Sequence, residues 1–74
     1  MNKLDAFKKL NITHQEYVKM LSEYIKGARQ RGAVDEFEQK KGKLRGYLEC
    51  LANMQVITPS DMRVLYLYFS TKGE

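Results

Sequence analysis

Seventy-four residues allow one domain with a small hydrophobic core. Cys50 is the single cysteine, which excludes an internal disulfide and a cysteine-built zinc site; a free thiol fits a reducing cytosol better than secretion. The net charge of +4, from thirteen basic and nine acidic side chains, permits contact with nucleic acid or an acidic protein surface but demands neither.

No stretch reaches the apolar length of a membrane span, and Met1-Asn2-Lys3-Leu4-Asp5 lacks the apolar core of a signal peptide. The expectation is a cytoplasmic domain without membrane contact. Idealised helix packing, oligomerisation or a partner must supply the stability that disulfides give other small chains. Five tyrosines and three phenylalanines, with no tryptophan, suit both core edges and interfaces.

Asn2 to Leu10 reads as a short helix, with Asn2 as cap, Asp5 in the first turn, and Leu4, Phe7 and Leu10 on one face; Asn11 is its stop. Thr13 opens the second helix: Thr13 and Glu16 have capping-box spacing, and Ile12 with Tyr17 matches a hydrophobic staple. Its apolar stripe is Tyr17, Leu21, Tyr24, Ile25 and Ala28. Lys26, Arg29 and Arg31 complement the negative end of its dipole, and Gly32 supplies the left-handed stop.

The third helix starts near Asp35, where Asp35, Glu36 and Glu38 suit the positive dipole end, and it ends near Asn53 or Gln55. Phe37, Leu44, Leu48 and Leu51 form its stripe, widened by Tyr47 and Met54. Thr58 caps a fourth helix that runs to about Ser70. Pro59 stands at its first position, Asp61 faces its positive dipole end, and Ile57 and Met62 have staple spacing. This helix is apolar on nearly every side, so it is buried on several faces or covered by a second molecule. A strand over residues 63–69 is the rival reading, and it has no visible partner strand. Residues 71–74 read as a frayed tail. The expected fold is therefore all-α: a small bundle of three main helices plus a short N-terminal one, occupying 1–74 as a single domain. The last two helices form a C-terminal hairpin.

Two basic clusters are the candidate partner-binding residues. In the first, Gly42 and Gly46 lie on one ridge with Cys50, nearly opposite Leu44 and Leu48, with Lys40, Lys43 and Arg45 beside them. Two helix-interior glycines cost on the order of 2 kcal/mol relative to alanine, so a bare strip for a close partner is one motive. The other reading is that Gly42 kinks or breaks the helix and the lysines are simply solvated. The second cluster, Lys26, Arg29, Gln30 and Arg31, either complements the dipole or joins the first as one basic surface that Glu36 and Glu38 interrupt. Glu36 and Lys40 also have the spacing of a helical ion pair.

Phe7 to Tyr17 resembles the opening of helix-turn-helix repressor domains. That pattern then wants a small residue near Lys19 and a glycine near Glu23, and this chain has neither. His14, the single histidine, is expected exposed and idle, and Cys50 has no base near it in sequence. No metal or cofactor signature is present, and a chain of this size has little room for the pocket that paired acids need; the chain is not expected to be an enzyme.

Lys43-Leu44-Arg45-Gly46-Tyr47-Leu48-Glu49-Cys50-Leu51, the Ile57-Thr58-Pro59 turn and the Tyr66–Phe69 run together resemble short, basic, helical proteins of Gram-positive phages and mobile elements, including anti-CRISPR-type inhibitors. The resemblance covers about half the chain. It implies a non-enzymatic protein that modulates or inhibits a host protein or nucleoprotein, for example a CRISPR effector nuclease, by stoichiometric binding. A small DNA- or RNA-binding transcriptional regulator is the alternative, and a purely structural oligomer subunit is the third. The expected partner surface is Lys40, Lys43, Arg45 and Gly46 with Arg29 and Arg31. The over-apolar last helix suggests a homodimer through Tyr66, Tyr68 and Phe69.

Overall fold

A computed structural model describes the backbone of residues 3–72 and the side chains of residues 5–70. Its elements are α1 (Lys3–Lys8), α2 (Ile12–Arg31), α3 (Val34–Asn53) and α4 (Pro59–Leu67), which continues into a π-helical turn (Tyr68–Lys72). The described residues contain no strand, and residues 63–69 are helical. The expected Asn2 cap, the Leu4 side chain and the tail at 71–74 lie outside the described residues, except for the helical backbone of residues 71 and 72.

The joint between α1 and α2 differs from the capping expected at Thr13. Asn11 is the cap: its backbone is extended (φ −72°, ψ 170°) and its side chain accepts a hydrogen bond from the His14 N–H at 2.9 Å. Asparagine caps at least as well as threonine, so the helix begins earlier. Ile12 then becomes the first helical residue and is 65% exposed, so the Ile12–Tyr17 staple does not form. Gln15 takes up the slack at the end of α1. Its Nε2 donates to the carbonyls of Leu10 (2.8 Å) and Phe7 (3.4 Å), satisfying oxygens that a helix end leaves orphaned.

Gly32 ends α2 as expected, in the left-handed region at φ 71°. The Ala33 N–H returns to the Ala28 carbonyl at 2.9 Å and the Gly32 N–H to the Arg29 carbonyl at 3.1 Å, the pattern of a Schellman motif. Only Gly32 and Ala33 separate α2 from α3, so the two helices fold back on each other. Each has 20 residues, about 30 Å of helix, and they set the 34 Å long dimension of the molecule. α3 starts at Val34, with Ala33 at a cap position that makes no side-chain hydrogen bond. It is unbroken through Gly42 and Gly46, so Gly42 does not break the helix.

The end of α3 repeats the Schellman pattern without a glycine. Gln55 occupies the left-handed region at φ 63°, and the Val56 N–H donates to the Leu51 carbonyl at 2.9 Å. Five residues on, Thr58 and Asp61 close a reciprocal capping box: the Asp61 N–H donates to Thr58 Oγ1 (3.0 Å) and the Thr58 N–H to Asp61 Oδ2 (3.1 Å). Pro59 stands at the start of α4, and Ile57 and Met62 both join the core, as their staple spacing suggests.

The core is built from Ala6, Leu10, Val18, Leu21, Ile25, Leu44, Leu48, Leu51, Ile57 and Leu65. α2 packs on α3, α3 on α4, α1 on α4, and the π turn on α2. Two stripe assignments change. On α2 the buried line is Val18, Leu21, Ser22, Ile25 and Ala28, while Tyr24 is 48% exposed. The stripe is rotated by about one position, which leaves Tyr17 and Tyr24, seven residues apart, on its flank. Met54 falls beyond the last residue of α3 and is 58% exposed rather than part of the core.

Asp61 is fully buried and joins two helices. Besides capping α4, its Oδ2 accepts from Lys9 Nζ at 2.7 Å, while Oδ1 has no partner. Burial pushes its pKa up, but hydrogen bonds from Lys9 and Thr58 and the Lys9 charge outweigh that and leave it below the ordinary carboxylate value. The unfolded chain therefore binds this proton more tightly. The resulting stability is complete above the unfolded value of about 4 and is lost as pH falls through the lower folded value. Lys9→Met should cost about 1.5–3 kcal/mol at neutral pH, as for a hydrogen bond to a charged group, with the difference shrinking as Asp61 is protonated; urea unfolding across the acid range reads both. Gln55→Gly should raise stability by about 1 kcal/mol, because glycine adopts a positive φ without a Cβ clash; thermal unfolding checks it.

Candidate docking face on helices α2 and α3

Four contacts fix which flanks of α2 and α3 meet on the outer side of the hairpin. Tyr17 and Tyr47 stack with ring centroids 4.5 Å apart. The Tyr47 hydroxyl is hydrogen-bonded to His14 Nδ1, whose ring stands edge-on to it at 5.7 Å. Lys40 Nζ lies 5.0 Å above the ring of Tyr24. Nearer the turn, Arg31 is paired with Glu36.

Helical spacing fills in the rest of this flank. Met20 is three residues from Tyr17 and four from Tyr24; Lys43 is three from Lys40 and four from Tyr47. Met20 is 41% exposed and Lys43 is exposed. The outer side of the hairpin is thus a run of tyrosine, methionine and lysine side chains. Its carboxylate, Glu36, is held by Arg31, and neither Lys40 nor Lys43 is ion-paired among the described residues. Burial raises the Tyr47 pKa, with smaller contributions from Tyr17 and Cys50, so the phenol stays neutral.

The glycine ridge borders this flank. Gly42, Gly46 and Cys50 are exposed on α3, opposite the fully buried Leu44 and Leu48. A Cβ at Gly42 or Gly46 would meet nothing within 4 Å, so no packing inside the domain requires either glycine.

The residues singled out in sequence do not form one basic patch. Lys40 and Lys43 lie on the tyrosine flank. Arg45 is on the other side of the ridge: its Nε is 3.4 Å from Glu49 Oε2, and it lines a recess with Met62, Arg63 and Tyr66 of α4. Arg31 is neutralised by Glu36, and Arg29 lines a shallow apolar recess of about 150 Å³ at the hairpin tip with Ala28, Gly32 and Phe37. The expected Glu36–Lys40 pair is replaced by Arg31–Glu36 and Lys40–Tyr24. Of the C-terminal aromatics, Phe69 packs inward on Phe7 at 5.5 Å and on Tyr68 at 4.9 Å. Tyr66 and Tyr68 are half-buried, and Leu67, at 54% exposure, is the large apolar side chain that α4 presents outward.

His14 is half-buried and engaged with Tyr47 rather than idle. Sequence reasoning also missed Tyr24 and Met20 as surface residues. The available signal was the 17, 20, 24 spacing, which puts these side chains on one flank beside the Leu21–Ile25–Ala28 line. α2 runs without interruption across the point where a helix-turn-helix pattern would bend, so its first twenty residues do not build that motif. No group of three or more metal-ligating side chains occurs among the described residues. Comparison with protein-family models, curated proteins and solved structures found no match.

Because the space above Gly46 is open, Gly46→Ala should raise stability by about 0.5–1 kcal/mol, the ordinary helix-interior difference between the two residues. Thermal unfolding followed by circular dichroism measures it; a loss of stability would mean that the glycine serves the fold.

Proposed function

We propose that this chain is a non-enzymatic binding protein that acts by stoichiometric docking on a host protein or nucleoprotein, for example a CRISPR effector nuclease. The observation that carries the reading is the open ridge of Gly42 and Gly46, which costs helix stability and has no role inside the fold. A partner helix or backbone approaches a bare ridge more closely than one bearing side chains. Lys43 beside the ridge favours an acidic or phosphate-bearing surface. In this reading α3 and α4 act as a C-terminal hairpin, with Arg45, Met62 and Tyr66 on the far border of the docking surface.

The reading is tested by capture from the native host's lysate, with and without nuclease, using wild type, Gly46→Leu and a Lys43→Glu/Arg45→Glu variant. A partner should be retained by the wild type after nuclease treatment, lost with Gly46→Leu while helix content is kept or raised, and weakened by charge reversal. Retention of the same partner by both variants would place the interface elsewhere. A DNA- or RNA-binding regulator would instead bind nucleic acid with an affinity falling steeply as salt rises.

Self-association through α4 belongs to the same proposal. Leu67 is exposed beside the half-buried Tyr66 and Tyr68, and a small core without disulfides gains from a covered apolar face; Phe69, packed on Phe7, contributes from the inner side. Sedimentation equilibrium should show a homodimer that Leu67→Glu converts to monomer. A wild-type monomer at high micromolar concentration would reject it.

A further inference from the structure

We infer that the tyrosine flank of the α2–α3 hairpin, Tyr17, Met20, Tyr24, Lys40, Lys43 and Tyr47, is a groove for an acidic amphipathic helix. The inference rests on the binding-protein reading and specifies the chemistry of its partner.

The flank is apolar along α2 and cationic along α3. Met20 and Tyr24 are exposed by 41% and 48%, a large fraction for side chains of this size on the outer face of a packed helix pair. Lys40 and Lys43 stand three residues apart, about 4.5 Å along the axis, so they match carboxylates one helical turn apart on a partner. A helix laid along the seam would put its apolar side on Met20 and Tyr24 and its carboxylates on the two lysines. Lys40 is already held over the Tyr24 ring, which reduces the ordering cost of docking.

Charge and ring geometry select among occupants. In a symmetric contact with a second copy, Lys40 and Lys43 would face their counterparts, and the flank's own carboxylate, Glu36, is engaged by Arg31. Single-stranded nucleic acid needs free aromatic faces for its bases. Here Tyr17 and Tyr47 stack on each other, the Tyr47 hydroxyl is bound to His14, and Lys40 covers one face of Tyr24. What stays open is the methionine side chain, the ring edges and two ammonium groups, a surface suited to aliphatic side chains and carboxylates.

The test is an NMR titration of the full chain with a synthetic amphipathic peptide of about three helical turns, leucine on one face and glutamate on the other. The same peptide with lysine for glutamate, and a thymidine oligonucleotide, serve as comparisons. The acidic peptide should shift the Met20 methyl and Tyr24 ring signals, and the lysine peptide should bind about tenfold more weakly or worse. Lys40→Glu/Lys43→Glu should reverse that preference with helix content unchanged. Equal binding of both peptides, or tighter oligonucleotide binding at these residues, overturns the inference. So do Met20 and Tyr24 shifts produced by raising the protein concentration alone, which would identify a second copy as the occupant. Shifts confined to Gly42 and Gly46 would leave the binding-protein reading standing and remove the tyrosine flank from it. No shift at any residue overturns the acidic-helix inference, and the capture experiment then decides the broader reading separately.

Discussion

The contact on which the arrangement depends is the buried Asp61 carboxylate. It closes the capping box with Thr58 at the start of α4 and accepts the Lys9 ammonium from just beyond the end of α1. α1 has six residues and α4 nine, and neither is long enough to be stable alone. A buried carboxylate needs its partners, because leaving it unpaired costs several kcal/mol. Lys9 and the capping box supply them only when both short helices are in place. One charge thus couples the N-terminal and C-terminal elements into a layer that packs on the α2–α3 hairpin.

That layer covers one side of the hairpin and leaves the other open. On the covered side, Leu44, Leu48, Leu51 and Leu65 are buried together with Val18, Leu21 and Ile25. On the open side the residues follow a different logic. Two glycines lower helix stability with nothing above them, tyrosines stack along the seam between the helices, and two lysines stand without carboxylate partners. The packed layer carries the fold, and the open side is free for docking because folding asks little of it. A protein this small separates the two tasks by using opposite faces of the same two helices.

The four helices were legible in sequence because their signals are local. Gly32, Thr58, Pro59 and the Leu44–Leu48–Leu51 line each act within a turn or two of chain. The misreadings arose where two local signals competed or where the chain's far ends met. Asn11 and Thr13 are both good caps two residues apart, and hydrogen bonding by Gln15 back to α1 accompanies the earlier start. Gln55 ends α3 in a left-handed conformation that composition does not announce. Asp61 was read as a dipole-facing charge, but its bond to Lys9 spans 52 positions and no periodicity reveals it. The candidate surface was half legible. Gly42, Gly46, Lys40 and Lys43 stand out on one helix, whereas Tyr24 and Met20 become part of the surface only once the rotation of α2 against α3 is known. The same rotation separates Arg45 and Arg29 from the lysines.

Side-chain oxidation in the native host's lysate tests the docking face most directly, because methionine and tyrosine are its own reporters. Met20 is 41% exposed on the flank, and Met54, at 58%, lies away from it at the end of α3. In buffer both should be oxidised by hydroxyl radicals. In lysate the ratio of Met20 to Met54 oxidation should fall, with Tyr24 protected alongside Met20. An unchanged ratio, or protection of Met54 with Met20 still reactive, would contradict docking on the α2–α3 face.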